Sequence, residues 1–430
     1  KQNLALEQKP EPVLKRAKLF PYHLKFSSDY LVAQLDNSVL ITPYQLYTAG
    51  PGPTHLGSPI YLQQPFNGLI QVGVSDLFED IKFSGGFRFP SNFNGSEYFF
   101  SYENLKHRVD WKATYYRKVE REGFSNSPYT AKLKTNLYQV RFTYPFDPVR
   151  SLRLTVGYRT DRTVMLAIDQ NTLPKGMNDT LSTYGLMHLE YVYDNTINPA
   201  INIWNGLRYK LFMEMFPQLN GQGTKAFTYN AGIDARYYQK IYKNFIWATR
   251  FAANLSWGNR KVIYYLGGVD NWLFPKVNTG TVVNPFNENY AYQTLAVNLR
   301  GYDQNIKNGN NVMLLNTELR LPVFATFINQ PINSNFIRNF EITSFFDVGT
   351  AWNQRLSFKD QNYLNYPNDR NQPSVIVQIK NGVLGPFVGG YGFGARTTIG
   401  GYFLRLDAAW PATVFFKGKP ILYLALGVDF

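Results

Sequence analysis

The chain has 430 residues, a formal net charge of +14 and no cysteine. Without cysteine, a disulfide scaffold, a thiolate metal site and a cysteine nucleophile are all excluded. Lys and Arg are dispersed along the sequence, so we interpret the charge as surface and lumen chemistry and expect no nucleic-acid partner. Aromatic residues make up 17% of the chain, which exceeds what a soluble core needs and suits aromatic girdles at two membrane interfaces.

The first 27 residues lack a strand pattern. Lys1 to Lys18 is polar and charged and has no apolar stretch of the kind found in a signal peptide. We therefore expect a mature chain or a fragment. We interpret residues 1–27 as an N-terminal linker on the periplasmic side of a membrane domain that spans residues 28–430.

From residue 28 onward the sequence alternates between apolar and polar positions with a period of two, which predicts β-strands. Ile421 to Phe430 shows the pattern, with Leu422, Leu424, Leu426, Val428 and Phe430 on one face. Most of the segments reach the 9–11 residues that a tilted transmembrane strand needs. The sixteen predicted strands are 28–37, 67–76, 81–90, 96–104, 108–118, 133–145, 151–161, 182–194, 206–217, 226–241, 244–257, 311–325, 341–353, 388–399, 402–410 and 420–430.

The connections between these segments sort by length. Odd-to-even connections are often long, whereas even-to-odd connections are mostly short, with exceptions near 195–205 and 326–340. Outer-membrane barrels have short periplasmic turns and long extracellular loops. The sequence therefore predicts an all-β fold, a 16-stranded antiparallel transmembrane outer-membrane β-barrel with both termini periplasmic. The longest connection, 258–310, is the sixth extracellular loop.

Leu299-Arg300-Gly301-Tyr302, in the last third of the chain, resembles the V/L-R-G-F/Y loop signature of the BamA-type (surface antigen, outer-membrane assembly factor) barrel superfamily. The strands that follow, NTELRLP at 316–322 and FFDVGTAW at 345–352, resemble the family's Glu-bearing strand and its F-x-D-x-G-x-x-W strand. YFLRLDAAWP at 402–411, the terminal aromatic Phe430 and the turn at 193–206 fit the same pattern. Residues 75–90 are similar to early strands of such barrels from Bacteroidota.

The resemblance implies that the arginine-glycine loop is held inside the barrel. A buried guanidinium needs carboxylate partners, and arginine binds a carboxylate through a two-pronged contact that lysine cannot copy. We predict that Arg300 pairs with Asp347 and that Glu318 lies close by, with Gly301 and Tyr302 completing this loop-lock. The alternative is that the three charged residues merely fill a polar lumen.

The loop departs from the family pattern in one respect. The Gly-Gly pair that usually lies just before the arginine-glycine motif is here Gly267-Gly268, some thirty residues upstream of it. The loop therefore carries an insertion, which we expect either to cap the barrel on the outside or to dock a partner, or to form a longer lid without a partner.

Other chemistry is not indicated. The four histidines lack the spacing of metal ligands, and no Ser/His/Asp arrangement has supporting context, so we predict neither an enzyme nor a cofactor or metal. The glycine-rich run at 389–394 lies within a predicted strand, and we interpret it as bulges or tight strand curvature.

The resemblance implies insertion or translocation of proteins at the outer membrane, through a weak seam between the first and last strands. That seam would involve Leu31, Ala33 and Leu35 on one side and Leu424, Leu426 and Phe430 on the other. An alternative is a non-catalytic anchor subunit of a larger outer-membrane or secretion complex, and a diffusion pore is a third interpretation. The expected partners are outer-membrane lipid, lipopolysaccharide and other outer-membrane or periplasmic protein subunits.

Overall fold

The computed structural model describes most of the chain. The described residues are 24–47, 67–90, 93, 95–123, 129–167, 179–220, 226–278, 281, 283, 289–296, 298–356, 363–365, 378–380, 386–412 and 418–430. None of the helices in these ranges is long and apolar enough to cross a bilayer. Residues 1–23 of the predicted linker lie outside them.

Strands dominate the described residues, and two one-turn helices lie between the twelfth and thirteenth long strands. In chain order the elements are β1 (Phe26–Leu35), β2 (Gln45–Leu46), β3 (Asn67–Asp76), β4 (Ile81–Pro90), β5 (Gly95–Asn104), β6 (Asp110–Gly123), β7 (Tyr129–Asp147), β8 (Arg150–Ala167), β9 (Thr180–Asp194), β10 (Ile197–Ala200), β11 (Ile203–Pro217), β12 (Phe227–Tyr242), β13 (Phe245–Gly258), β14 (Lys261–Leu266), β15 (Tyr290–Ala296), β16 (Lys307–Gly309), β17 (Asn311–Pro322), α1 (Val323–Phe327), α2 (Asn335–Arg338), β18 (Glu341–Trp352), β19 (Tyr363–Asn365), β20 (Gln378–Lys380), β21 (Val388–Ile399), β22 (Tyr402–Pro411) and β23 (Ile421–Leu426).

The main sheet is antiparallel and has 17 strands, of which β10 is a short addition beside β11. Register pairs join successive long strands in chain order from β1–β3 to β22–β23. Every one of the sixteen predicted segments corresponds to one of these long strands, and long and short connections alternate as predicted. The predicted all-β antiparallel barrel plan is therefore confirmed.

The two faces of the wall differ as the alternation predicts. In β17, Leu315 and Leu319 are exposed, whereas Asn316, Glu318 and Arg320 are buried. A ring of apolar and aromatic side chains thus faces outward and polar side chains face the lumen. This arrangement brings charged groups from neighbouring strands together inside the barrel.

Several strand boundaries differ from the predictions, and three of the differences have a consequence for the wall or a visible cause. β1 begins at Phe26, so the barrel takes two residues that we assigned to the linker. The twelfth strand ends at Pro322, because Val323–Phe327 forms the helix α1. The last strand ends at Leu426, because Gly427 has a φ of +89° and turns the chain out of the extended conformation.

The prediction that Phe430 shares a face with Leu422 and Leu424 and lines the seam is consequently wrong. Phe430 is 6% exposed and packs in the lumen against Ile203, Tyr238, Ile246 and Ala248. The turn at Gly427 shifts the alternation, so that Asp429 and Phe430 are both buried.

The long sixth loop folds back into the barrel. β14 pairs with β15 in parallel and with β16 in antiparallel orientation, and β2 from the first long loop adds to β15. β14 has five consecutive buried residues, and Tyr264 and Tyr292 lie in the largest buried apolar cluster. Of these strands only β15 lies in the predicted insertion, and its first five residues are buried, so this part of the insertion does not cap the barrel on the outside.

Candidate functional site: the arginine-glycine loop in the lumen

Arg300 lies at the tip of the sixth loop and is bound by carboxylates of the wall. Its Nε and Nη2 donate to the two oxygens of Asp347 at 2.7 and 2.9 Å, and its main-chain N–H donates to the same carboxylate at 3.1 Å. Nη1 lies 2.6 Å from Glu318 Oε1 and 3.9 Å from Asp407 Oδ2. All four side chains are almost fully buried, so one guanidinium faces carboxylates from three strands of the wall, β17, β18 and β22.

The same guanidinium is stacked on an aromatic ring. Its central carbon lies 3.6 Å from the ring centroid of Phe345, the residue two positions before Asp347 in β18. The Asn316 side chain supports the carboxylate by donating to Asp347 Oδ1 at 2.8 Å, and it also donates to the main-chain oxygen of Asn298. Arg300 is therefore fixed in position and in orientation.

Glycines allow the loop to lie against the wall. Gly301 has a φ of +93°, and a side chain there would bring its Cβ to 2.7 Å from the main-chain oxygen of Trp410. A Cβ on Gly390, in β21, would collide with the main-chain oxygen of Arg300. β21 pairs with β18 and β22 without a register shift, so the interpretation of the 389–394 run as bulges is wrong. The run instead leaves room for the loop.

A buried tyrosine of the last strand holds the loop from another side. The Tyr423 hydroxyl accepts from the Gly301 N–H at 2.9 Å and donates to the Tyr302 oxygen at 2.8 Å. The Tyr302 hydroxyl donates to the Gly389 oxygen at 2.9 Å. Of the five predicted loop-lock residues, Arg300, Glu318 and Asp347 meet directly, and Gly301 and Tyr302 bind β21 and β23. Sequence reasoning missed Tyr423 and Gly390, although both lie on predicted inward-facing or glycine-rich positions.

The ionic cluster continues from the loop to the chain's last residues. Arg396 binds Asp407 at 2.7 Å and Asp429 at 2.8 Å. Arg320 binds Glu318 at 2.8 Å and donates to the main-chain oxygen of Phe430 at 3.1 Å. Buried charge pairs therefore connect the Arg300 carboxylates to residues 429–430 along two routes.

The turn between β10 and β11 completes this cluster. Asn202, which is fully buried, donates from its amide nitrogen to Glu341 at 2.9 Å and to Asp429 at 3.0 Å. Its side-chain oxygen accepts from the Asp429 N–H at 2.9 Å. The residues after Gly427 are thus held in the lumen by hydrogen bonds on both sides.

The sixth loop also occupies the free edge of β23. The Leu273 N–H donates to the Leu424 oxygen at 2.9 Å, and the Leu426 N–H donates to the Asn271 oxygen at 3.4 Å. Trp272 lies opposite Ala425 in an antiparallel bridge, and its ring packs 4.8 Å from that of Tyr423. Residues 271–273, here called the edge segment, therefore satisfy backbone groups of β23 that point away from β22.

The first strand does not pair with that edge in the described part of the chain. β1 pairs with β3 alone, with Leu31 opposite Val72, Ala33 opposite Ile70 and Leu35 opposite Gly68. All ten residues of β1 are exposed, and no register pair joins it to β23. A hydrogen bond from the Leu35 N–H to the Tyr402 hydroxyl, 3.0 Å long, reaches across to β22.

No group of histidines and carboxylates in the described ranges has the arrangement of a metal site. His188 lies between two carboxylates, 2.8 Å from Glu214 and 3.6 Å from Glu190. It lines a lumenal cavity of about 350 Å³, together with Arg159, Tyr44 and residues of β14 and β15. His188 and the Tyr44 hydroxyl both bind Glu214, and Arg159 donates to the Tyr44 main-chain oxygen, so these side chains are partners of one another in the polar lumen.

No protein-family model matches the sequence, and no curated protein matches it. Among solved structures, BamA from Haemophilus ducreyi lacking POTRA domains 1-3 is similar, with a TM-score of 0.55 and 13% identity over 95% of this chain and 71% of that chain. CdiB from Acinetobacter baumannii gives 0.46 and 13% over 86% and 58%, and CdiB from Escherichia coli gives 0.49 and 12% over 96% and 64%. At these identities the BamA comparison establishes the fold, which is that of a BamA-like barrel.

Proposed function

We propose that the chain is an outer-membrane barrel that inserts or translocates other proteins, with both termini in the periplasm. The observation that carries this proposal is the last strand, whose outer edge is bound by residues 271–273 of a loop and not by β1. An incoming strand needs an unpaired sheet edge, and a loop contact of three residues is far easier to displace than a full strand ladder.

The BamA-like fold and the arginine-glycine motif support the same function. Residues 299–302 and the strands after them resemble the BamA-type superfamily, and this resemblance implies protein assembly at the outer membrane. In this proposal the Arg300 cluster positions the sixth loop, and the loop in turn holds the edge segment against β23. The similarity of the early strands to Bacteroidota barrels stays a prediction.

A diffusion pore receives less support. The lumen of the described residues contains a four-stranded sheet whose tyrosines are buried, and Arg159 clamps it by donating to the Tyr44 oxygen at 2.9 Å. A water-filled channel would leave such a lumen open. The same barrel could also be a non-catalytic anchor of a larger complex. In that case only the subunits of that complex would depend on it, and not outer-membrane proteins in general.

Depletion separates these functions. The chain is placed under a repressible promoter in its native cells, and the folded outer-membrane proteins are quantified before growth slows. An assembly or translocation role predicts loss of many outer-membrane proteins that share no complex. Loss of one complex alone would mean an anchor, and an unchanged outer-membrane proteome would contradict both.

A further inference from the structure

The outward face of β6–β8 carries a cluster of positive charge. In β7, Tyr138, Phe142 and Tyr144 are exposed on the outward face, whereas Leu133 and Leu137 are buried, so even-numbered residues face outward. The register places five basic residues on this face at the end of the strands that leads into the long loops. They form the β6–β8 cationic patch: Arg117, Arg121, Lys132, Lys134 and Arg162.

This placement is unlike the rest of the wall. Outward-facing positions of β3–β5, β9, β11–β13, β17, β18 and β21–β23, all in the described part of the chain, carry no Lys or Arg. Arg150 faces outward at the opposite end of β8, where it pairs with Asp147 at 2.5 Å. Chance scattering of 44 basic residues does not explain why the long-loop half of the outer face concentrates them on three neighbouring strands.

Within the patch, like charges lie directly opposite each other. Arg121 is the register partner of Lys132, and Lys134 is the register partner of Arg162. Directly opposed side chains have Cβ atoms about 5 Å apart, and like charges at that spacing destabilise a sheet. Asp179 pairs with Arg162, but no described carboxylate lies within ion-pair distance of the other four cations. The described residues therefore offer no counter-charge to these four cations, and an external anion would supply one.

The position of the patch indicates what that anion is. Tyr115, Tyr138 and Tyr158 form a row of outward tyrosines across the same three strands, and tyrosine rows mark the membrane interface. Arg117 lies two residues beyond this row and Lys134 four residues beyond it, which is about 7 Å and about 13 Å along the strands. The cations therefore lie at and just above headgroup level.

We propose that the β6–β8 cationic patch binds a phosphate-bearing lipid headgroup of the leaflet that faces the long loops. Arg121, Lys132 and Lys134 contribute the charge, and Arg117 borders the tyrosines, where its Nη1 lies 3.5 Å from the Tyr98 hydroxyl. Several cations around one or two phosphates replace mutual repulsion with charge-assisted hydrogen bonds. This inference rests on the proposed outer-membrane placement of the barrel and not on its transport role.

The test uses the full chain in a neutral maltoside detergent, with diphosphoryl lipid A as the probe and native mass spectrometry counting bound lipid. The test variant is Lys132→Gln/Lys134→Gln, and the charge-matched control is Lys106→Gln/Lys240→Gln, which removes two exposed lysines elsewhere. We expect apparent affinity to fall about fivefold per patch lysine removed and the control to match the unaltered chain. Equal retention by both variants would overturn the proposal.

A second measurement compares the thermal stability of the patch variant with that of the unaltered chain, first without lipid and then with it. Without lipid, the patch variant should be at least as heat-stable as the unaltered chain, because a like-charge contact is relieved. With lipid A added, the unaltered chain and the control should gain thermal stability, and the patch variant should gain less. Stabilisation of the same size by inorganic phosphate alone would overturn the proposal in favour of a free-phosphate site. None of these readouts depends on protein insertion, so they stand apart from the depletion experiment.

Discussion

Arg300 shows how a loop can be fixed inside a wide barrel by a single side chain. Its planar guanidinium meets Asp347 through two nitrogens and Glu318 through a third, while Phe345 covers its face. Each carboxylate comes from a different strand of the wall. Removing the cation would leave buried negative charges without a counter-charge, which costs far more than the pair itself contributes.

Substitution at Arg300 should therefore be strongly destabilising. We expect Arg300→Ala to lower stability by about 3–5 kcal/mol. Arg300→Lys should lose less, because charge is kept but the two-pronged contact is not. The temperature at which the folded barrel loses its compact gel mobility measures this. Arg338→Ala, at an exposed arginine of α2, is the control. Equal behaviour of Arg300→Lys and the unaltered chain would contradict the account.

Gly390 provides a second test of how the loop is held, because the substitution there changes the steric room for the loop and leaves its charges unchanged. A Cβ there would collide with the Arg300 main-chain oxygen, so Gly390→Ala should push the loop off the wall and lower the melting temperature of the barrel. Gly85→Ala is the matched control, since a Cβ in that strand would lie 3.6 Å from its nearest neighbour, the Phe99 oxygen. A neutral Gly390→Ala would mean that the loop does not need this close approach.

The sequence predicted the charged partners because resemblance and alternation agreed on them. It could not predict Tyr423 as a loop ligand, since an inward tyrosine on a last strand has many possible partners. It also could not assign the glycines of β21, because a glycine-rich strand is equally consistent with curvature and with close approach of another segment. Which of these applies depends on a contact with residues ninety positions away.

At the scale of elements, the end of β23 and the edge segment form one unit. Gly427 turns the chain inward, Asp429 and Phe430 are bound in the lumen, and residues 271–273 cover the outer edge of the strand. Alternation alone extended the strand to Phe430, because Val428 and Phe430 continue the apolar pattern. A single residue with positive φ was enough to break that pattern.

The edge segment can be tested by removing one hydrogen-bond donor. Leu273→Pro eliminates the N–H that binds the Leu424 oxygen, whereas Leu273→Ala keeps it. We expect the Leu426 amide, which donates to Asn271, to exchange with deuterium faster in the proline variant than in the alanine variant. Indistinguishable exchange rates would show that the segment does not protect the edge.

At the scale of the whole molecule, strand number, order and connection lengths were predictable because a barrel wall imposes one period and one parity on the entire sequence. The interior was not. The insertion in the sixth loop was expected to cap the barrel, to dock a partner or to form a longer lid, because the burial of a short strand such as β15 depends on a lumen that the sequence does not display. Loop segments that pack inside the barrel have no regular hydrophobic period in the sequence, so their position could not be predicted from it.

The central claim is that the sixth loop must leave the edge of β23 for the barrel to act on other proteins. Because the chain contains no cysteine, Trp272→Cys/Ala425→Cys introduces the one possible disulfide, across residues that face each other in an antiparallel bridge. The most direct measurement is the abundance of newly folded outer-membrane proteins in cells that depend on this double variant, with the disulfide oxidised and then reduced. The account predicts loss of folding when it is oxidised, recovery on reduction, and normal folding with each single variant. Equal folding in the oxidised and reduced states would contradict it.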